Sequence, residues 1–372
     1  MSNSKIKEID KVFLWTVITL VIIGFVFFIS ASMGMLAKDN LQFSSVVSRQ
    51  IFFGIIFGSI ACFIFSKIDY RIYNKYSSLI FILSIIITSL VFVPGLGTDL
   101  NTFAKRWVSI FGFTFQPVAI LNIGFIIYWS AWLSFIKERV STFKYGFLPL
   151  LVLISIVGAL LLKQPDTDSF LILCLTAAAM FIVAGGRKRY IAALALIGFI
   201  ALIVLAFNRP YIMSRIQTYI NPGENSQTSG YQIQQSLIAV GSGQVFGRGL
   251  GQSIQKYKFL PESISDTIFA VLAEEGGFVW SVIVIGLFLF FVFRGLKIAI
   301  KSPDLFGGLL VVGIVILTVL QSFINIASVL GIIPFSGLPL AFFSQGGTAM
   351  LMVLVQIGIV LNVSKFSKSL RF

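Results

Sequence analysis

Histidine is absent from this 372-residue chain, cysteine occurs twice, and charged residues make up only 11% of it. Without an imidazole there is no histidine triad, histidine metal ligand or imidazole proton shuttle, so a general base must be a carboxylate, lysine, tyrosine or cysteine. Cys62 and Cys174 lie inside apolar runs; they are too few for a disulfide framework or a zinc site and read as packed thiols. Soluble domains are roughly one quarter charged, so this composition, with a mean hydropathy of +0.98, excludes an ordinary soluble protein, a disordered chain, a collagen and a coiled coil. Acidic residues are also scarce, 14 against 28 basic. In a soluble protein that imbalance points toward nucleic acid. Here the basic residues sit at the ends of apolar runs, so no nucleic-acid partner is expected.

What fills the chain is apolar: 57% hydrophobic residues, with 39 Phe. Runs of membrane-spanning length recur from Val12 to Val363, predicting an all-α polytopic membrane protein with a single transmembrane domain over 1–372. Ten spans are expected, at 12–34, 50–66, 77–95, 116–136, 146–162, 169–186, 190–207, 267–293, 306–330 and 346–364. An even number puts both termini on one side. Lysine and arginine collect in the N-terminus (Lys5, Lys7, Lys11), in alternate connections such as Arg187-Lys188-Arg189, and in the tail (Lys365, Lys368, Arg371). The positive-inside rule makes those segments, and both termini, cytoplasmic. The first run follows three lysines as a signal peptide does, but it is too long for a signal core and reads as an anchor.

Most remaining polar sequence then falls on the outer face, in a large extracytoplasmic loop over 208–265 and a shorter one from Pro94 to Arg106. The large loop is expected to fold over the mouth of the bundle, with a short helix whose apolar positions are Ile233, Leu237 and Ile238. Its glycines, Gly241, Gly243, Gly247, Gly249 and Gly251, lack the spacing and the following G-K-[ST] of a nucleotide loop. They suit turns and close backbone packing, or with Arg248 the cradling of a phosphate. Asp266 stands where the loop meets the eighth span, as a helix N-cap or as a reactive carboxylate. Glu274 and Glu275 follow in that span, roughly 12–14 Å deeper by helical rise, too far to pair with Asp266. Ionisable groups inside a span are costly, so they are either functional or paired with polar groups elsewhere. Asp166 and Asp168, in Gln164-Pro165-Asp166-Thr167-Asp168-Ser169, cap a helix or offer oxygen ligands to a hard divalent cation such as Mg²⁺ or Mn²⁺. Lys105, Arg106 and Trp107 suit a membrane interface, or a grip on a pyrophosphate with a ring to stack on a sugar.

Read as a string, Gly247-Arg248-Gly249-Leu250-Gly251-Gln252-Ser253, Gln255-Lys256, Leu260-Pro261-Glu262, Ser265-Asp266-Thr267-Ile268-Phe269-Ala270 and Glu274-Glu275-Gly276 resembles the SEDS family of cell-shape and cell-division membrane proteins. Gln116-Pro117, Gln164-Pro165-Asp166 and Gly337-Leu338-Pro339-Leu340 follow the same pattern in order, and the likeness is nearer to the division type, FtsW, than to the elongation type, RodA. The resemblance implies a peptidoglycan glycosyltransferase in a bacterial inner membrane. Such an enzyme polymerises lipid II at the outer face beside a class B penicillin-binding protein, within divisome or elongasome assemblies. It implies Asp266 as the catalytic carboxylate, with Lys105, Arg106, Trp107, Arg248, Gln255, Lys256 and Glu262 as candidates for holding substrate. The chain departs from the pattern at Ala119 and Asn122, where the family carries Glu and Lys, and at Asp168, Ser265, Ala341 and Gln345. Losing both members of a buried pair leaves no orphan charge, so the fold is expected to survive. Two other functions stay open at this point. One is a flippase with Glu274, Glu275, Asn122, Gln321 and Asn325 along a polar path; the other is a non-catalytic scaffold that activates the cross-linking enzyme.

Overall fold

The computed structural model describes residues 8–36, 40–98, 106–110, 113–221 and 229–366. The chain folds as helices in sequence order. The first, α1 (Lys11–Leu36), is followed by α2 (Asn40–Arg49), which passes through a wider π turn, Gln50–Ile56, into α3 (Phe57–Lys67). Then come α4 (Arg71–Lys75), α5 (Ser77–Ser89), α6 (Val118–Ile136), α7 (Leu148–Lys163), α8 (Thr167–Val183) and α9 (Lys188–Asn208). The outer loop contributes α10 (Pro210–Ile220), α11 (Ser229–Ser242) and the single turn α12 (Gln255–Lys258), and α13 (Ile268–Ile300), α14 (Leu305–Val329) and α15 (Gly347–Lys365) complete the bundle. Eight helical stretches are long and apolar enough to cross a bilayer, with α2 and α3 counting as one. Two shorter apolar helices, Ser77–Phe92 and Thr167–Val183, occupy the remaining expected positions.

The core is built around α14, which is buried on most of its faces between α6, α8, α13 and α15. Polar groups tie the helix ends where lipid cannot satisfy them. Asp10 caps α1 by accepting from the Phe13 amide (2.9 Å) and pairs with Arg294 of α13 (2.9 Å), while its own amide donates to Ser364 Oγ of α15 (3.0 Å). The start of α1, the far part of α13 and the end of α15 therefore share one end of the bundle. Asp266 precedes α13 at the opposite end, about 40 Å from Arg294 at helical rise.

Three findings depart from the sequence expectation. A small antiparallel sheet, β1 (Gly97–Thr98), β2 (Trp107–Ile110) and β3 (Phe113–Phe115), forms in the second outer loop, with Thr98 opposite Trp107 and Ser109 opposite Thr114. In α11, Ile233 is buried as expected, but Leu237 and Ile238 are exposed. The inward stripe runs through Ile233, Ser236 and Ala239, because the helix approaches α13 closely on its small-residue face. Finally, α9 lies along the outside of the bundle with no buried residue; only its first turns, around Tyr190 stacked on Phe147 (5.0 Å), pack against the core.

Candidate active site

The polar sequence at the Asp266 end of the bundle sorts into two clusters. The first forms where α13 breaks. Gly277 has φ 69° and ψ −167°, values that interrupt the helix after the Glu274-Glu275-Gly276 step. The glycine loop fills the break: the Arg248 and Gly249 amides donate to the Glu274 and Glu275 carbonyls (both 3.0 Å), and the Phe278 and Val279 amides donate to Gln244 and Val245 (2.9 and 3.1 Å). Both carboxylates are buried and fully engaged. Glu275 accepts from Lys256 Nζ (2.6 Å) and from Ser30 Oγ of α1 (2.5 Å). Glu274 accepts from Ser253 Oγ (2.5 Å) and the Ile254 amide (3.0 Å), with Arg248 Nε at 3.6 Å and the Gln255 amide at 3.4 Å. The two intramembrane acids are thus the paired kind, and Arg248, Gln255 and Lys256 gather around them. The glycines serve close packing: a side chain at Gly243 or Gly247 would collide with the α13 backbone.

The second cluster surrounds Asp266. The segment Ile264–Asp266 is pinned from behind by the stretch before α15: Gln345 N donates to the Ile264 carbonyl (2.7 Å) and Ser344 Oγ to that of Ser265 (2.5 Å). Asn325 Nδ2 of α14 bridges the Asp266 and Leu338 carbonyls (2.7 and 2.6 Å). Helix α13 begins only at Ile268, with Thr267 as its N-cap residue, so Asp266 is not the cap that the spacing allowed. The Asp266 carboxylate is left half-buried with no hydrogen bond among the described residues. Burial raises it to about 7, reinforced by Glu262 and Asp168 and opposed by Arg106 and Arg215.

The surrounding groups come from separate elements. Glu262, exposed, is held by Ser265 Oγ (2.7 Å). Arg106, ahead of β2, donates to the Pro165 carbonyl and lies 4.0 Å from Asp166, which caps α8 through the Ser169 amide (3.3 Å). Burial pushes the Asp166 carboxyl up from the usual range, with Arg106 pulling it back. Asp168 takes both oxygens to Arg215 of α10 (2.9 and 3.0 Å) and accepts weakly from the Gly337 amide (3.4 Å). Trp107 stands beside Arg106 at the start of β2. Lys105 lies outside the described residues.

The two aspartates offered as ligands for Mg²⁺ or Mn²⁺ do not fit that role, because each faces a guanidinium. No group of three or more Asp, Glu or Cys able to hold a metal occurs among the described residues. Sequence reasoning missed Arg215, a solitary cation in no motif, and Gly337 as the wall of the site, its Cα so placed that a β-carbon would sit 3.5 Å from Asp266 Oδ2. A cavity of about 420 Å³ opens on the other side of Pro261–Ile264, lined by Met35, Gln42, Tyr231, Glu262 and Gln345 among others.

Residues 10–369 match the family described as cell cycle proteins, FtsW, RodA and SpoVE. Stage V sporulation protein E of Bacillus subtilis (strain 168) is 37% identical, covering 86% of this chain and 87% of its own. The probable peptidoglycan glycosyltransferase FtsW of Geobacter sulfurreducens (strain DL-1 / KN400) is 37% identical, covering 98% and 97%. Among solved structures, a chain of a peptidoglycan synthase complex superposes with a TM-score of 0.79 at 23% identity, covering 96% of this chain and 97% of its own. The crystal structure of the rod shape determining protein RodA of Thermus thermophilus gives 0.70 at 24%, covering 96% of each. With the motifs in order along its length and the same helical fold, this multi-pass membrane protein belongs to the FtsW, RodA and SpoVE family of cell cycle proteins.

Proposed function

We propose that this chain is a peptidoglycan glycosyltransferase that polymerises lipid II at the outer face of the cytoplasmic membrane, with Asp266 as its general base. The observation that carries the reading is the Asp266 carboxylate: without a hydrogen bond among the described residues, half-buried, raised by burial to about 7 and facing the guanidinium groups of Arg106 and Arg215. In the reaction an acceptor sugar hydroxyl forms a bond to the donor's anomeric carbon as the bond to pyrophosphate breaks, with inversion. The hydroxyl proton passes to Asp266, and undecaprenyl pyrophosphate departs with the bonding electrons. A base with a pKa near the working pH balances ionised fraction against proton affinity and typically contributes 10²–10⁴-fold. The charge growing on the diphosphate is met by Arg106, whose Nε is buried without a partner among the described residues.

The names of the FtsW relatives support this activity, and the synthase complex among the structural neighbours supports assembly with a class B penicillin-binding protein. The likeness to FtsW and to a sporulation protein favours septal over elongation synthesis. The basic segments support cytoplasmic termini. A flippase path along α13 is disfavoured, because Glu274 and Glu275 are fully engaged by the docked loop.

Purified protein in liposomes with lipid II and the class B partner tests the reading. Glycan chains from wild type and none from Asp266→Asn are expected. Equal product from both removes Asp266 from the mechanism, and product from neither, with lipid II crossing the bilayer, establishes transport instead.

A further inference from the structure

Of the charged groups near Asp266, one pair belongs to no motif. Arg215 and Asp168 meet in an ion pair in which one guanidinium nitrogen, Nη1, donates to both carboxylate oxygens at 3.0 and 2.9 Å. Their side chains are only 28% and 16% exposed, which places the pair partly out of water, where its geometry is well held. The bridge joins three separate pieces of the outer end. Arg215 is on α10 of the large loop, Asp168 is in the first turn of α8, and Asp168 Oδ2 reaches the amide of Gly337 at 3.4 Å. Gly337 is in turn the residue against Asp266 Oδ2, and its neighbour Leu338 shares Asn325 with the Asp266 backbone.

We propose that the Asp168–Arg215 ion pair is a positioning pair for Asp266, locking α10 and the head of α8 to the turn that walls the carboxylate and setting the balance of charge that faces it. The inference rests on the polymerase reading above for its catalytic meaning, but the geometry is independent of it. The charged groups facing Asp266 are Glu262 from its own segment, Asp168 from α8, Arg106 from ahead of β2 and Arg215 from α10. The α14 and Gly337–Gln345 sides contribute the uncharged Asn325, Gly337 and Ser344. The pair brings one charge of each sign. Deleting either member leaves the other uncompensated, so the two deletions act on Asp266 in opposite directions. A role confined to holding helices together has no such sign.

The test is a pH titration of the Asp266 carboxyl by infrared difference spectroscopy, taken against Asp266→Asn, in wild type, Asp168→Asn, Arg215→Gln and the double variant, all as the full chain in lipid. Asp168→Asn leaves the guanidinium alone and is expected to move the midpoint about one unit toward acid; Arg215→Gln is expected to move it about one unit toward alkali. The double variant is expected to fall between them. Arg215→Lys, which keeps the positive charge that faces Asp168, is expected to retain the midpoint. Midpoints that stay with wild type in both single variants, or that move the same way, overturn the proposal. The titration needs no turnover, so a wild type that makes no glycan counts against the polymerase reading and leaves the pair to be judged by its midpoints.

Discussion

Lys256 Nζ lies 2.6 Å from Glu275 Oε1, and both side chains are sealed from solvent. Ser30 of α1 contacts both members, accepting from Lys256 Nζ at 3.2 Å and donating to the Glu275 carboxylate. One ion pair thereby fastens the first helix, the glycine loop and the break in α13. Removing one member of a buried pair strands the other charge, whereas removing both is often neutral. Lys256→Met is expected to cost about 3–5 kcal/mol and the double variant Lys256→Met/Glu275→Leu to recover most of it. Thermal unfolding in detergent, arranged as a double-mutant cycle, measures this; additive losses would show the pair to be idle.

Gly277 is expected to refuse alanine. Its φ of 69° lies where side chains are strained, and a β-carbon would come within 2.6 Å of the Val245 carbonyl. Gly277→Ala should cost about 2 kcal/mol or more and release the glycine loop to protease. Gly286 of the same helix faces open space, so Gly286→Ala should be neutral or gain up to about 1 kcal/mol. Equal behaviour of the two variants in limited proteolysis and melting would contradict the break.

The Asp266 carboxyl, lifted to about 7, sets two pH effects. With Asp266 as the proposed base, polymerisation draws on its ionised form, so the rate is expected to rise about tenfold from pH 6 to pH 8. Stability runs the other way. The folded state holds this proton more tightly than the unfolded state, whose aspartate titrates near 3.8, so stability falls as pH rises from about 4 through 7. Asp266→Asn should therefore melt higher than wild type at pH 8, with the gap closing toward pH 4. A gap that is constant with pH would mean that Asp266 titrates normally.

Gly337→Ala separates folding from chemistry. The added β-carbon would sit 3.5 Å from Asp266 Oδ2, an ordinary contact, and the backbone there needs no positive φ. Stability should stay within about 0.5 kcal/mol. A sugar hydroxyl must come within about 3 Å of the carboxylate to give up its proton, so polymerisation should drop by roughly tenfold or more. Unchanged rates in a lipid II assay would place the acceptor on the other side of Asp266.

Apolar length made the spans legible in sequence, because a helix that meets lipid must be apolar over a fixed distance. It did not reveal the break at Gly277, since two glycines in an apolar run look the same in a straight helix as in a kinked one. Leu237 and Ile238 are apolar positions of α11, but in a membrane protein apolar side chains also point outward, and the small Ser236 and Ala239 mark the packed face with Ile233. Asp266, Glu262 and Arg106 were visible as motif residues and do meet around one carboxylate. Lys256 and Arg248 were visible too, yet spacing carries no sign of which anion a cation will face, and theirs are Glu275 and Glu274. Asp168 stood out as a departure from the family pattern and as a possible cap or cation ligand, neither of which points to an arginine. Its partner Arg215 is 47 residues away, a separation no local pattern can encode.

Helix α9, 21 residues long, buries no side chain among the described ones, and at about 1.5 Å per residue it nearly equals the hydrocarbon thickness of a bilayer. Among the described residues it packs against the core only in its first turns, near Tyr190, so its tilt answers to the thickness of the surrounding lipid. Its far end leads through Arg209 directly into α10, the helix that carries Arg215. A thicker or thinner membrane thus bears on this lever before it bears on the rest of the bundle.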